Sequence, residues 1–210
     1  MTAIVDYGVG NLFSLLCSLD ASGEQAVVAP DPDELRRADR VILPGVGAFA
    51  DAASRLRSQN LDLTLKDIAE SRKPLMGICL GMQLLFEKSL EYGEHEGLGL
   101  LKGTVRPIEE ILRESEMDPE RRLKIPQMGW NALRLRKKSP LFRYIKDGDY
   151  VYFVHSYAAT DCGDSILADT EYGANLTACA GRDNVFGCQF HPEKSGQVGL
   201  NILRAFCEME

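Results

Sequence analysis

The first half of the chain alternates short apolar runs with amphipathic stretches. The apolar runs predict buried strands: TAIVDY (2–7), QAVVAP (25–30), RVILPG (40–45) and KPLMGIC (73–79). The amphipathic stretches predict helices: NLFSLLCSLDAS (11–22, ending at Gly23), residues 48–71, and LGMQLLFEKS (80–89). Alternation of this kind is typical of a parallel sheet that is covered by helices on both faces.

The second half of the chain has a different pattern. Six short runs with turn residues between them predict further strands: GTVRPI (103–108), ALRLRK (132–137), DYVYFVHSY (149–157), SILADTEY (165–172), LTACAG (176–181) and VFGCQF (185–190). A last helix is expected over 196–209. We therefore predict an α/β fold, one domain over 1–210, with a mostly parallel central sheet flanked by helices and additional antiparallel strands.

One stretch interrupts this order. Residues 109–123, EEILRESEMDPERRL, are densely charged and contain Pro119 near their end. We expect an exposed excursion there, partly helical and mobile.

The composition narrows the classes of function. The net charge of −7 lacks the basic footprint of nucleic-acid binding, so we expect no nucleic-acid partner. No stretch approaches the roughly 20 apolar residues of a membrane span, and no basic segment of a secretory signal opens the chain. We expect a cytoplasmic protein with no membrane contact.

Metals and cofactors are also not expected. The six cysteines form no C-x-x-C pair, and the segment GEHEG around His95 is expected to be a solvated loop. The segment GVGN (8–11) follows a strand, as in dinucleotide-binding proteins, but Phe13 stands where that motif needs its third glycine.

The segment GICLGMQ (77–83) places Cys79 between Gly77 and Gly81, where a buried strand is expected to turn into a helix. Small residues here allow a tight turn, which is how an elbow presents a nucleophile at the end of a strand. The alternative is a buried structural cysteine, since free cysteines are among the most buried residues.

A nucleophilic cysteine needs a base, and the chain has three histidines. His191 lies two residues before Glu193, so a carboxylate can orient one ring nitrogen while the other faces a thiol. His155, in YFVHSY, is the competing candidate, but no carboxylate is close to it in sequence. We prefer His191.

Three motifs in order, LPGVGAF (43–49), GICLGMQ and FHPE (190–193), resemble those of the class I glutamine amidotransferases, and the resemblance extends over essentially the whole chain. It implies hydrolysis of L-glutamine through a thioester. Cys79 would attack the carboxamide, His191 would transfer the proton, and Glu193 would orient His191.

The same resemblance implies the rest of the site. The backbone N–H groups of Val46 and Leu80 would bind the oxyanion, each donor being worth about 10²–10³ in rate. The substrate would be held by Gly45, Gly47, Gln83, His155, Ser156 and Tyr157.

Further segments resemble one branch of the family, in which the acceptor of the ammonia is a separate (β/α)₈-barrel cyclase of histidine biosynthesis. These are VDYGVGNLFSL (5–15), PQMGWN (126–131), VYFVHSY (151–157) and HPEKSGQVGL (191–200). The residues expected at the partner interface are Asn11, Gln127, Met128, Trp130, Lys194 and Ser195.

Other interpretations stay open at this point. The chain could serve anthranilate, aminodeoxychorismate or guanylate synthesis, or act alone as a γ-glutamyl hydrolase. It could also be a binding module without activity, because a fold does not determine a function.

Overall fold

The computed structural model describes residues 1–115 and 123–209. The helices of these residues are α1 (Leu12–Ala21), α2 (Pro32–Arg37), α3 (Phe49–Ser58), α4 (Leu61–Glu70), α5 (Leu80–Leu84), α6 (Ile108–Glu114) and α7 (Gly196–Cys207). The strands are β1 (Thr2–Val5), β2 (Ala26–Ala29), β3 (Arg40–Leu43), β4 (Leu75–Ile78), β5 (Phe86–Ser89), β6 (His95–Glu96), β7 (Leu101–Pro107), β8 (Gln127–Ala132), β9 (Arg134–Leu135), β10 (Tyr150–His155), β11 (Tyr157–Thr160), β12 (Ile166–Glu171), β13 (Asn175–Arg182) and β14 (Val185–Cys188).

Eight strands form the central sheet, in the order β2-β1-β3-β4-β14-β13-β12-β9. The first five run parallel, and the last three continue the sheet in antiparallel fashion. The carboxyl ends of β3, β4 and β14 therefore lie side by side at one edge, where active sites of parallel sheets form. The predicted fold class is confirmed.

Alternating side chains of the parallel strands enter two separate cores. Val41 and Leu43 pack with α2, α3 and α4, whereas Ile42 packs with α1 and α7 on the opposite face. Strands buried on both faces are nearly continuous apolar runs, which is why these segments were recognisable in the sequence.

Two smaller sheets stand beside the central one. Strands β8 and β10 form an antiparallel ribbon, in which His155 pairs with Gln127 and Tyr152 with Trp130. A four-stranded sheet has the order β11-β7-β5-β6. The sequence predicted β10 and β11 as one run, but they are separate strands in different sheets, and β8 was not predicted as a strand.

The helix predicted over 80–89 is wrong beyond Leu84. The carbonyls of Leu84 and Leu85 accept hydrogen bonds from Leu98, Leu100 and Leu101, so the backbone leaves the helix and continues as β5. These partners are distant in sequence, and helical periodicity does not reveal them.

Three further local expectations need correction. The GEHEG segment is not all loop, because His95 and Glu96 pair with β5 as β6. Helix α2 was missed, although Asp31 caps it by accepting from Asp33 N at 2.7 Å and Pro32 opens it. The helix expected over 48–71 is two helices, α3 and α4, with Asn60 in a left-handed conformation between them.

The charged stretch 109–123 is helical over 109–114, as part of α6. The prediction of a mobile excursion concerns mainly residues 116–122, which lie outside the described residues.

Candidate active site

The nucleophile candidate lies on a sharp turn between β4 and α5. Cys79 has φ 54° and ψ −113°, a backbone conformation that L-residues rarely adopt. Its N–H donates to the carbonyl of Cys188 on β14 at 2.7 Å, which holds the turn against the neighbouring strand. A strained conformation maintained in this way is characteristic of a nucleophile elbow.

Three glycines make this elbow possible. A Cβ atom at Gly77 would lie 2.5 Å from the carbonyl oxygen of Gly81, and one at Gly81 would lie 1.8 Å from the carbonyl oxygen of Leu43. A Cβ atom at Gly45 would lie 2.7 Å from the amide nitrogen of Gly81. The backbone of the PGVG loop thus packs directly on the elbow, with no room for a side chain between them.

His191 and Glu193 form a buried pair just beyond β14. Nδ1 of His191 lies 2.8 Å from Oε1 of Glu193, and both side chains are at most 5% exposed. A carboxylate accepts, so Nδ1 carries the proton and Nε2 is left to face Cys79. A hydrogen bond from His191 N to the carbonyl of Tyr152, at 2.9 Å, fixes the backbone of this turn.

The protonation of His191 reflects this setting. Burial disfavours the charged imidazolium, but the hydrogen bonds and charge interactions with the Cys79 and Glu193 side chains outweigh it and raise the pKa of His191 to about 9. At neutral pH the arrangement therefore favours a protonated His191 ring beside the Cys79 sulfur, where it can donate a proton.

A cavity of 390 Å³ opens beside the thiol. It is lined by Val46, Gly47, Cys79, Leu80, Gln83, Glu91, Pro126, Val154, His155, Ser156, Tyr157, His191 and Lys194. Most of the residues predicted from the sequence thus meet in one pocket. Gly45 does not line it, and Glu193 lies behind His191 instead of facing the space.

The candidate oxyanion donors approach the thiol from two elements. Leu80 opens α5, where the first N–H groups of a helix have no partner within the helix. Val46 and Gly47 belong to the PGVG loop, and Gly47 has φ +95°, which favours glycine. The role of these N–H groups remains a prediction.

His155 is unsuited to the role of base. Its Nδ1 lies 2.8 Å from the carbonyl of Tyr157, and burial lowers the pKa of His155 to about 4, with His191 adding to the decrease. The ring is therefore neutral at pH 7. Its buried Nε2 has no hydrogen-bond partner among the described residues, so an acceptor faces inward beside the pocket.

Two residues of the site were missed in the sequence. The hydroxyl of Tyr7 donates to the carbonyl of Pro44 at 2.8 Å and so supports the PGVG loop. Burial and the nearby Cys79 charge raise the pKa of Tyr7. Glu91 lines the pocket, and its Oε2 accepts from Phe49 N at 2.6 Å. Tyr7 lies within DYGVGN, but no sequence pattern marks Glu91.

Gln189 was also missed, although it precedes FHPE directly. It is fully buried, its Oε1 accepts from Gln83 Nε2 at 3.0 Å, and its Nε2 lies 3.7 Å from the Cys79 sulfur.

The predicted interface residues fall into two groups. Met128 and Trp130 are 63% and 52% exposed, and Asn11 and Lys194 are exposed as well. Gln127 and Ser195 are buried, and the interface role of all six residues stays a prediction. Gln127 donates to Asn131 at 3.0 Å, and the Ser195 hydroxyl donates to His191 O at 2.6 Å and accepts from Tyr152 N at 3.0 Å. Both support the elements that carry the exposed residues.

Within residues 1–115 and 123–209, no helix is long and apolar enough to cross a membrane. Nor do these residues bring together three or more His, Cys, Asp or Glu side chains that could hold a metal ion.

Cys79 thus shares one pocket with His191, which Glu193 holds from behind, an arrangement suited to thiol chemistry. The sequence matches the family model of class I glutamine amidotransferases over residues 3–209, and the chain belongs to that family.

The relatives narrow this further. The chain is 48% identical over 206 residues to the imidazole glycerol phosphate synthase subunit HisH of Lactococcus lactis subsp. lactis (strain IL1403), covering 98% of this chain and 96% of the relative. It is also 48% identical over 210 residues to the HisH subunit of Wolinella succinogenes, covering 100% of both chains. Within the class I amidotransferases, the chain is a member of the HisH family.

Solved structures share the fold at lower identity. The chain is 20% identical to a chain of the structure of PurLQS from Thermotoga maritima, with a TM-score of 0.73 and coverage of 98% and 96%. This likeness concerns the fold alone.

Proposed function

We propose that the chain hydrolyses L-glutamine to glutamate and ammonia and passes the ammonia to a separate synthase subunit in the cytoplasm. The observation that carries the proposal is that Cys79 and His191 line one pocket, with Glu193 paired to His191 behind it. No cofactor is needed for this chemistry, because a thiolate nucleophile and an acid–base histidine are sufficient.

The proposed reaction begins with attack of the Cys79 sulfur on the γ-carboxamide carbon of glutamine. The tetrahedral oxyanion accepts hydrogen bonds from the N–H groups of Leu80 and Val46. The protonated His191 then donates its Nε2 proton to the leaving nitrogen, and ammonia departs from the thioester. Water, deprotonated by the now neutral His191, attacks the thioester and releases glutamate.

The pocket is complementary to the other end of the substrate. Glu91 places a carboxylate in it, suited to the α-ammonium group of glutamine. Ser156 and Tyr157 offer backbone groups at the same wall, where the strand passes from β10 to β11. We assign these residues to binding of the amino-acid end.

The ammonia must reach an acceptor without protonation in bulk water, because ammonium is not a nucleophile. Strand β8 begins directly after Pro126, a pocket residue, and presents Met128 and Trp130 on one exposed face. A large exposed aromatic beside an active site fits a docking surface. We propose that the partner covers this face, with Asn11 and Lys194 beside it.

The partner we propose is a (β/α)₈-barrel cyclase. The curated relatives are named as subunits of imidazole glycerol phosphate synthase, and their identity of 44–48% over nearly the whole chain supports this partner over anthranilate, aminodeoxychorismate or guanylate synthases. The cyclase would use the ammonia to form imidazole glycerol phosphate and aminoimidazole carboxamide ribotide in histidine biosynthesis.

The test is glutamate release from glutamine by the purified chain, alone and then with the cyclase and its nucleotide substrate. We expect a low rate alone and strong stimulation by the pair. A Cys79→Ala variant should lose glutamine-dependent synthesis but still support synthesis from added ammonium. High activity on γ-glutamyl peptides without any partner would instead establish a stand-alone hydrolase.

A further inference from the structure

The orientations of two buried amide side chains can be derived from one backbone carbonyl. The carbonyl oxygen of Tyr157 can only accept, so Gln83, 3.1 Å away, must present its Nε2 to it. The same Nε2 lies 3.0 Å from Gln189, which must therefore present Oε1. With Oε1 of Gln189 turned to Gln83, its Nε2 faces the Cys79 sulfur at 3.7 Å.

The alternative orientations are unfavourable. Rotating the Gln83 amide would place its oxygen against the Tyr157 carbonyl, and rotating Gln189 would place two N–H donors face to face. When Cys79 is ionised for attack, a rotated Gln189 would also put its oxygen beside the sulfur, so that two acceptors would meet without water. Gln189 is fully buried, which removes solvent as a substitute partner.

Two consequences follow for the pocket. Both N–H bonds of Gln83 are taken, so it meets a ligand through its Oε1 alone and accepts from the N–H groups of the substrate. The Tyr157 carbonyl accepts from both Gln83 and His155, so both of its lone pairs are used within the protein.

We propose that Gln189 is a further catalytic residue, which donates a hydrogen bond to the Cys79 thiolate and at the same time fixes the Gln83 carboxamide as an acceptor for the substrate. The inference deepens the proposed glutaminase function and rests on it. Hydrogen bonds to ionised groups are stronger than those between neutral groups, particularly in a buried site. Gln189 thus complements His191, approaching the sulfur as a neutral donor that does not have to give up its proton.

The test is the pH dependence of Cys79 alkylation by iodoacetamide, followed on the Cys79 peptide by mass spectrometry so that exposed Cys17 does not interfere. The variants are Gln189→Met and Gln189→Leu, either of which removes the donor. Gln197→Met is the matched control, because Gln197 is exposed and bonds only to Asn201 among its described side-chain contacts.

We expect the midpoint of alkylation to rise by roughly one pH unit in the Gln189 variants, a tenfold change in the thiol–thiolate equilibrium. The wild-type rate should return at high pH. The KM for glutamine should rise several-fold, since Gln83 loses the acceptor that orients it. The control should match the wild type in both measurements.

A uniform loss of rate at every pH, with an unmoved midpoint, would overturn the inference and indicate a merely structural role. Circular dichroism shows whether Gln189→Met or Gln189→Leu is misfolded, and the midpoint of the folded variant is then the one compared with the wild type. Alkylation requires neither turnover nor partner, so the two proposals fail separately. If the midpoint shifts but the wild-type chain releases no glutamate even with the cyclase and its nucleotide substrate, the proposed function is contradicted. Normal turnover with an unmoved midpoint contradicts the role of Gln189.

Discussion

Glu193 holds the imidazole of His191 through a 2.8 Å contact between Oε1 and Nδ1, and only Pro192 separates the two residues in sequence. Proline restricts the backbone, and the turn is closed by hydrogen bonds from Lys194 to His191 and from Ser195 to Pro192, both at 3.0 Å. Glu193, which orients the imidazole, and His191, the base, thus belong to one rigid turn. Their contact is present without substrate.

Replacing Glu193 by glutamine should remove the charge that orients and stabilises the imidazolium. We expect kcat for glutamate release to fall by roughly 10²–10⁴, with little change in KM, as when the carboxylate of a triad is replaced by an amide. Steady-state glutaminase assays of the cyclase complex measure this. Glu94→Gln, which alters an exposed ion pair with Lys88, should retain the wild-type rate.

The raised pKa of His191 predicts a specific titration. In ¹⁵N-histidine NMR spectra the ring should lose its proton near pH 9 in the wild type and at a lower pH in Cys79→Ala, because the Cys79 side chain contributes to the shift. Since the folded pKa exceeds the unfolded value of 6.5, this interaction favours the folded state fully below pH 6.5. Its contribution is lost as the pH rises from 6.5 through 9. An unshifted titration in Cys79→Ala would contradict the interaction with Cys79.

His155 predicts the opposite pH dependence. Its pKa falls from 6.5 to about 4 on folding, so the unfolded chain binds an additional proton between these values. The free energy of unfolding should therefore decrease by roughly 3 kcal/mol as the pH falls from 6.5 to 4. Urea titrations should show a shallower decrease for His155→Gln than for the wild type. His95→Gln supplies the baseline for removing a histidine near the surface.

The contact between the PGVG loop and the elbow predicts an intolerant position. Gly81→Ala would force a Cβ atom against the carbonyl of Leu43, and we expect it to destabilise the fold by about 3 kcal/mol or more and to abolish activity. Gly148→Ala meets no atom within 4 Å, and its φ of +86° alone should cost about 1–2 kcal/mol. Urea unfolding measures the loss of unfolding free energy in each variant, from steric overlap at Gly81 and from the positive φ at Gly148. Equal losses would refute the packing argument.

Trp130 predicts the energetics of the partner surface. It is half exposed and packs edge-to-face on Tyr152, with the two ring centroids 6.0 Å apart. Its free face is therefore presented in a fixed orientation. Trp130→Ala should weaken cyclase binding by about 2 kcal/mol or more in calorimetry, without changing the folding stability to the same extent. Leu63→Ala, on α4, removes an exposed apolar side chain elsewhere and should leave binding unchanged.

The sequence was sufficient to predict the parallel strands and the segments that carry the catalytic residues. The apolar runs of β1, β3 and β4 and the segments around Cys79 and His191 predicted the parallel sheet and the residues that meet at its edge. The sequence paired residues 79 and 191 through the chemistry of a thiol and its base, whereas the run over 185–190 was counted among the additional antiparallel strands. In the structure β14 runs parallel to β4, so the two strands bring their carboxyl ends, and with them these residues, together.

The remaining features depend on partners that local patterns do not encode. Helix α5 stops at Leu84 because residues near Leu98 take the carbonyls of its end. Gln127 looked like a surface residue within PQMGWN, but β8 turns it inward, since successive side chains of a strand alternate between its faces. Gln189 is an ordinary polar residue in sequence, and only its burial beside the sulfur gives it a role.

The hydrogen bond between Cys79 N and the carbonyl of Cys188 links the nucleophile to the strand that leads into His191. The pairing register of β4 and β14 thus determines how far the Cys79 thiol lies from the His191 imidazole. A slip of one residue between β4 and β14 would reverse the side-chain facing of the shifted strand. We therefore expect the site to be lost together with the sheet, so that heat inactivation and global unfolding coincide.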